Sequence, residues 1–83
     1  MTDAFPGKFD IKVFGAASNE FESNIISLIR KHIPNLRENA IRSRPSKDGK
    51  YIALTITVEA DNKEQLDTIY RELTSSPYVL MAL

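Results

Sequence analysis

The sequence predicts an α+β sandwich with the element order β-α-β-β-α-β, and three observations carry that expectation. In Tyr51–Ala60, Ile52, Leu54, Ile56 and Val58 alternate with Ala53, Thr55, Thr57 and Glu59. That is the period-two pattern of a strand with one face in an apolar core. Two other stretches place apolar residues three and four apart, Phe21, Ile25, Leu28, Ile29 and Ile33 in the first and Leu66, Ile69, Tyr70 and Leu73 in the second. Each is the buried stripe of an amphipathic helix. Shorter alternating stretches precede the first helix, separate it from the long strand and follow the second helix.

Residues 1–7, with Pro6 and Gly7 and little periodicity, read as a flexible N-terminal arm, leaving 8–83 as a single domain. Phe9, Ile11 and Val13 alternate with Asp10, Lys12 and Phe14, a first strand that ends at Gly15. Phe14 stands out there as an aromatic on the polar phase. Ser18 or Asn19 can cap the first helix by accepting from an unpaired N–H of its first turn, and Glu20 and Glu22 suit the positive end of the helix dipole. Arg30, Lys31 and His32 suit the negative end, and Pro34 stops the helix by disfavouring helical backbone at Ile33.

Within residues 35–45 the pattern predicts a short edge strand, with Ile41 and Ser43 inward, Arg42 and Arg44 outward as charge protection, and Pro45 tolerated because an edge needs fewer N–H donors. Lys47, Asp48, Gly49 and Lys50 then form a hairpin turn in which Gly49 takes a positive φ. Asp61 or Asn62 caps the second helix, with Asn62 and Gln65 at capping-box spacing. Ser75, Ser76 and Pro77 break that helix. The final residues, 78–83, read as a strand with Val79, Met81 and Leu83 inward. Two right-handed crossovers assemble this order into a four-stranded antiparallel sheet with both helices on one face, the ferredoxin-like sandwich.

Composition narrows the function classes. Eleven basic residues balance eleven acidic ones, so no net field attracts nucleic acid or an anionic membrane. The absence of cysteine excludes disulfides, thiol nucleophiles and thiolate metal sites, and the single histidine, His32, cannot build a metal centre alone. The first residues carry Asp3 and no apolar run where a signal peptide needs a basic start and an apolar core, so the expected location is the cytoplasm. A chain of this length buries only roughly 60 to 65 per cent of its unfolded surface, and self-association would add stability.

Several residues also carry a resemblance. Phe5 and Pro6, Phe9, the run Lys12-Val13-Phe14-Gly15, His32 with Pro34, the run from Pro45 to Tyr51, Thr55-Ile56-Thr57-Val58 and the Met81-containing end resemble the YbeD-like family of small bacterial proteins of unknown function. The resemblance covers nearly the whole chain from Phe5. It implies a ferredoxin-like sandwich similar to the regulatory ACT domains of amino-acid metabolism, and an association with lipoate attachment. Many ACT domains carry an Asp-Arg/Lys-Pro-Gly effector loop after the first strand, where this chain has Gly15-Ala16-Ala17-Ser18. An amino-acid effector is therefore not carried over by the resemblance.

Two candidate sites follow. Gly15, Ala16, Ala17, Ser18 and Asn19 form a turn of small residues at a helix N-terminus, where backbone N–H groups can receive a small anionic metabolite at a subunit interface; an ordinary capped turn has the same composition. On the open sheet face, Phe14, Tyr51, Ala53, Tyr78, Leu80 and Ala82 make a patch more apolar than water favours, suited to a homo-oligomer or a protein partner. Arg42, Arg44, Lys47 and Lys50 gather on the edge hairpin, while Glu59, Asp61, Glu64, Asp67 and Glu72 lie in or beside the second helix, a polarity that can orient a partner or simply solvate the surface. An RNA-binding face is disfavoured because the strand after Lys47-Asp48-Gly49-Lys50 supplies one aromatic, Tyr51, where several are needed. No nucleophile–base pair surrounds His32, which the helix dipole explains as a terminal residue. The reading is a non-enzymatic regulatory or interaction module without a cofactor, a metal or a catalytic residue.

Overall fold

The computed structural model describes residues 5–83. Its elements are β1 (Gly7–Ala16), α1 (Asn19–His32), a 3-10 turn (Glu38–Ala40), β2 (Ile41–Pro45), β3 (Tyr51–Ala60), α2 (Lys63–Ser75) and β4 (Met81–Ala82). The strands form one sheet in the order β2-β3-β1-β4, with every neighbouring pair antiparallel. β3 is thus a central strand, as its alternation predicts, and the β-α-β-β-α-β sandwich is the fold.

The two helices cover one sheet face because their stripes match the strands' inward residues. Phe21, Ile25 and Ile29 of α1, Ile69 and Leu73 of α2, Ile11 and Val13 of β1, and Leu54, Ile56 and Val58 of β3 are at most 1% exposed. Burying each such side chain stabilises the fold by about 1.5–3 kcal/mol relative to leaving it in water. Ser18 is the N-cap of α1 and accepts from the Phe21 N–H at 3.0 Å. Asn62 caps α2 by accepting from the Gln65 N–H at 2.9 Å, while Gln65 Oε1 accepts from the Asp61 N–H at 2.8 Å, a capping box offset by one residue.

The hairpin turn also follows the sequence. Gly49 has φ of +74°. The Ser46 hydroxyl donates to Asp48 Oδ1 at 2.6 Å, and the Lys50 N–H donates to the same oxygen at 3.1 Å. These two bonds, the hydroxyl's first, hold the Asp48 carboxyl below its ordinary value.

Several expectations change. β1 starts at Gly7, which pairs with Ala60, and runs on through Gly15 to Ala16, which pairs with Tyr51. The proposed arm therefore overlaps the strand at residue 7, Phe5 lies 5.0 Å from Phe9 between ring centroids, and residues 1–4 lie outside the described residues. Ser43 pairs with Leu54 on the inward phase but is exposed on edge strand β2. Leu36, in the 35–45 segment to which the sequence assigns only a short edge strand, is 8% exposed and joins the core ahead of β2.

The last strand departs most. Met81 is 49% and Leu83 61% exposed, while Ala82 packs on the core beside Val79. The Leu80 N–H donates to the Phe14 carbonyl at 2.8 Å although Met81 is the register partner of Phe14. Two residues thus oppose one, as in a β-bulge, and the alternation beyond Val79 is inverted.

Candidate interaction face

Alternation and register fix what the helix-free face presents. Arg44 lies opposite Ala53, Ala53 opposite Phe14, and Phe14 opposite Met81, a row crossing all four strands. Beside it, Arg42 lies opposite Thr55 and Thr55 opposite Lys12. Lys12 and Leu83 exchange backbone hydrogen bonds of 3.0 and 2.8 Å, which completes the second row. The next pair is Asp10 and Thr57, whose hydroxyl donates to Asp10 Oδ1 at 2.7 Å. Arg42 Nη2 stands 3.7 Å from Asp10 Oδ2, a loose and exposed ion pair.

The face therefore has two halves. Lys12, Arg42 and Arg44, with Asp10, Ser43, Ala53 and Thr55, line a shallow depression of about 440 Å³. Phe14, half-buried, leads from it to Met81 and Leu83. Tyr51, 50% exposed, ends the face on β3, and Tyr78 and Leu80 stand exposed on the segment that joins Phe14 at the bulge.

Of the residues expected on this face, the register places Phe14, Tyr51, Ala53, Arg42 and Arg44 together. Ala82 is the exception, since the bulge turns it inward opposite Val13. Met81 and Leu83 take its place, and no residue type in 78–83 signals that inversion. Lys12, by contrast, was legible on the polar phase of β1, and only its cross-strand neighbours give it company.

The turn before α1 has a different construction from the one its composition suggests. Gly15 and Ala16 belong to β1, the Ala17 N–H donates to the Lys50 carbonyl at 2.9 Å, and the Phe21 N–H is taken by Ser18. A β-carbon at Gly15 would stand 2.6 Å from both Phe21 Cδ1 and the Tyr78 carbonyl oxygen. The glycine is thus required by packing on the core side, and Glu20 and Glu22 bring negative charge to the helix start.

His32 works as a helix tie. Its Nε2 lies 2.8 Å from Glu72 Oε2, Lys31 Nζ lies 3.0 Å from Glu72 Oε1, and Gln65 Nε2 donates to the His32 carbonyl at 3.1 Å. The bond from Lys31, then that from His32, holds the Glu72 carboxyl below its ordinary value against the opposing effect of partial burial. Among the described residues, no cluster of three histidine or carboxylate side chains is placed to hold a metal ion. No helix among them is long and apolar enough to cross a membrane.

A family model described as a protein of unknown function (DUF493) matches residues 3–83. The chain belongs to this family. Its curated relatives include a UPF0250 protein of Janthinobacterium sp., 44% identical over 79 residues that cover 95% of this chain and 87% of the relative. A UPF0250 protein of Neisseria meningitidis is 43% identical with the same coverage. These are the YbeD-like proteins that the sequence resembles. Among solved structures, the ACT domain from GTP pyrophosphokinase of Chlorobium tepidum superposes with a TM-score of 0.71 at 22% identity, covering 92% of this chain and 94% of that one. Protein HP0495 from H. pylori superposes with a TM-score of 0.76 at 16% identity, covering all of this chain and 87% of that one. At such identities the likeness to these two structures is one of fold, and function has to be argued from surfaces.

Proposed function

We propose that this DUF493 protein is a non-enzymatic regulatory or protein-interaction module that works by docking its open sheet face onto another macromolecule. One observation carries the reading. The apolar residues left out of the core share one side of the sandwich: Met81 opposite Phe14 and Leu83 opposite Lys12 on the β4 side of the helix-free face, Tyr51 opposite Ala16 at the end of β3, and Leu80 at 65% exposure on the rim. Contiguous apolar surface of this kind marks interaction sites on small proteins, whereas single exposed apolar residues need no explanation. Covering it would also stabilise a domain of this size.

The test is native mass spectrometry of the tagged protein purified gently from its own cells, compared with Tyr51→Glu/Leu80→Glu. The expected result is a second protein or a second copy at fixed stoichiometry, lost in the variant. A bare monomer at every concentration overturns the reading. The same spectrum addresses the alternative, an anionic metabolite near Gly15 to Asn19 at a subunit interface, which would add a reproducible small mass. The docking reading is preferred because Ala17 and Phe21 already spend their N–H groups within the protein.

A further inference from the structure

We propose that the occupant of the open face is an acidic amphipathic helix of another protein, with carboxylates over Lys12, Arg42 and Arg44 and apolar side chains over Phe14, Met81 and Leu83. This rests on the docking reading above and names the partner's chemistry.

Charge chooses between partners. The two central rows carry the cations Lys12, Arg42 and Arg44, and against these three stands one adjoining carboxylate, Asp10, which accepts from Thr57 and lies 3.7 Å from Arg42. The patch thus keeps a positive surplus on a chain whose net charge is zero. In a two-fold dimer whose axis passes through this patch, the patch would meet itself and bring cations against cations. An acidic partner removes that penalty.

Shape and spacing choose its form. Adjacent strands lie about 4.8 Å apart, so Arg44 on β2 and Phe14 on β1 are separated by two spacings, roughly 10 Å. Two turns of an α-helix advance about 10.8 Å. A helix laid across the strands therefore brings a carboxylate to Arg44 and an apolar residue seven positions away to Phe14. A helix is also what covers the sheet's other face, where α1 and α2 pack. Single-stranded nucleic acid fits less well. It needs aromatic platforms on successive positions; beside the cations these rows hold Phe14, half-buried, with aliphatic Met81 and Leu83, and the next aromatic on the face, Tyr51, stands at its end.

The experiment follows backbone amide shifts of the isotope-labelled full chain by NMR during titration with three probes. These are an alanine-rich helical peptide with glutamates two turns from leucines, the same peptide with lysines for the glutamates, and a short oligouridylate. The glutamate peptide is expected to shift the amides of Lys12, Phe14, Arg42, Arg44 and Ala53, to weaken with added salt, and to lose about tenfold in affinity in Arg42→Glu/Arg44→Glu. Arg42→Gln/Arg44→Gln provides a gentler variant if charge reversal disturbs the edge strand, and it should lose affinity in the same direction. Equal binding of the lysine peptide, stronger shifts with oligouridylate, shifts centred elsewhere, or no binding of the glutamate peptide overturns the proposal. If a native complex is lost in Tyr51→Glu/Leu80→Glu yet survives Arg42→Glu/Arg44→Glu, docking stands and the acidic partner falls. If neither pair of substitutions alters a complex, both fall.

Discussion

The Phe21 ring fills the space that a β-carbon on Gly15 would need, and the Tyr78 carbonyl closes the same space from the last segment, 2.6 Å from the position of that carbon. A strand residue, a helix residue and the chain's final stretch thus meet at one point in the core. Gly15→Ala is therefore expected to destabilise the fold by about 1–3 kcal/mol through overpacking, since the backbone oxygen cannot swing away as a flexible side chain would. Urea unfolding should show a lower midpoint with an unchanged slope. A midpoint equal to that of the wild type would mean that the ring and the last segment relax freely, and would return Gly15 to the turn reading.

Gly49 is small for a different reason. Its φ is +74°, and no atom lies within 4 Å of a built β-carbon. Backbone strain alone should act there, so Gly49→Ala is expected to cost roughly 1–2 kcal/mol and Gly49→Asn less, because asparagine tolerates the left-handed region. The same unfolding measurement separates them. Equal losses for alanine and asparagine would argue against strain as the cause.

These two glycines show what was legible. A turn glycine after Asp48 is a local signal, as are the caps at Ser18 and Asn62 and the stripes of both helices, because each depends on residues near in sequence. Gly15 looked like a turn residue too, but its reason lies in Phe21 and Tyr78, which only the folded chain brings together. The candidate face was readable for the same cause and to the same limit. β1 and β3 alternate cleanly, so Phe14, Tyr51 and Ala53 could be placed on it. The bulge at Leu80 is set by how the chain returns from α2 to β1, and it exchanged Ala82 for Met81 and Leu83. Leu36 escaped for want of any periodicity around it.

Gln65 joins the two helices at one end. Its Oε1 accepts from the Asp61 N–H, and its Nε2 donates to the His32 carbonyl, one of the groups left unpaired at a helix C-terminus. Gln65→Ala removes both bonds and is expected to cost about 1–2 kcal/mol. Gln65→Glu keeps the acceptor for Asp61 but sets a carboxylate oxygen against the His32 carbonyl, so it should recover only part of the loss. Full recovery in the glutamate variant would show that the bond to His32 contributes nothing to stability. Asn62→Ala, which deletes the cap itself, should cost about 1 kcal/mol independently.

Acid should undo the other tie between the helices. The Glu72 carboxyl is held below its ordinary value of 4.5, first by the hydrogen bond from Lys31 and then by His32. Because the folded value lies below the unfolded one, ionised Glu72 binds its proton more readily in the unfolded chain. Its contribution is therefore fully present above about pH 4.5 and is lost as the pH falls through the lower, folded value. Glu72→Gln removes this dependence. Melting temperatures of the two proteins should differ by a constant amount just above the carboxylate range and converge as the solution is acidified below it. Since the Glu72 side chain is about one-third exposed and Lys31 two-thirds, solvent screening keeps the difference small, and added salt should reduce it further. A gap that widens on acidification would assign the opposite sign to the shift and exclude Glu72 as an acid-labile link.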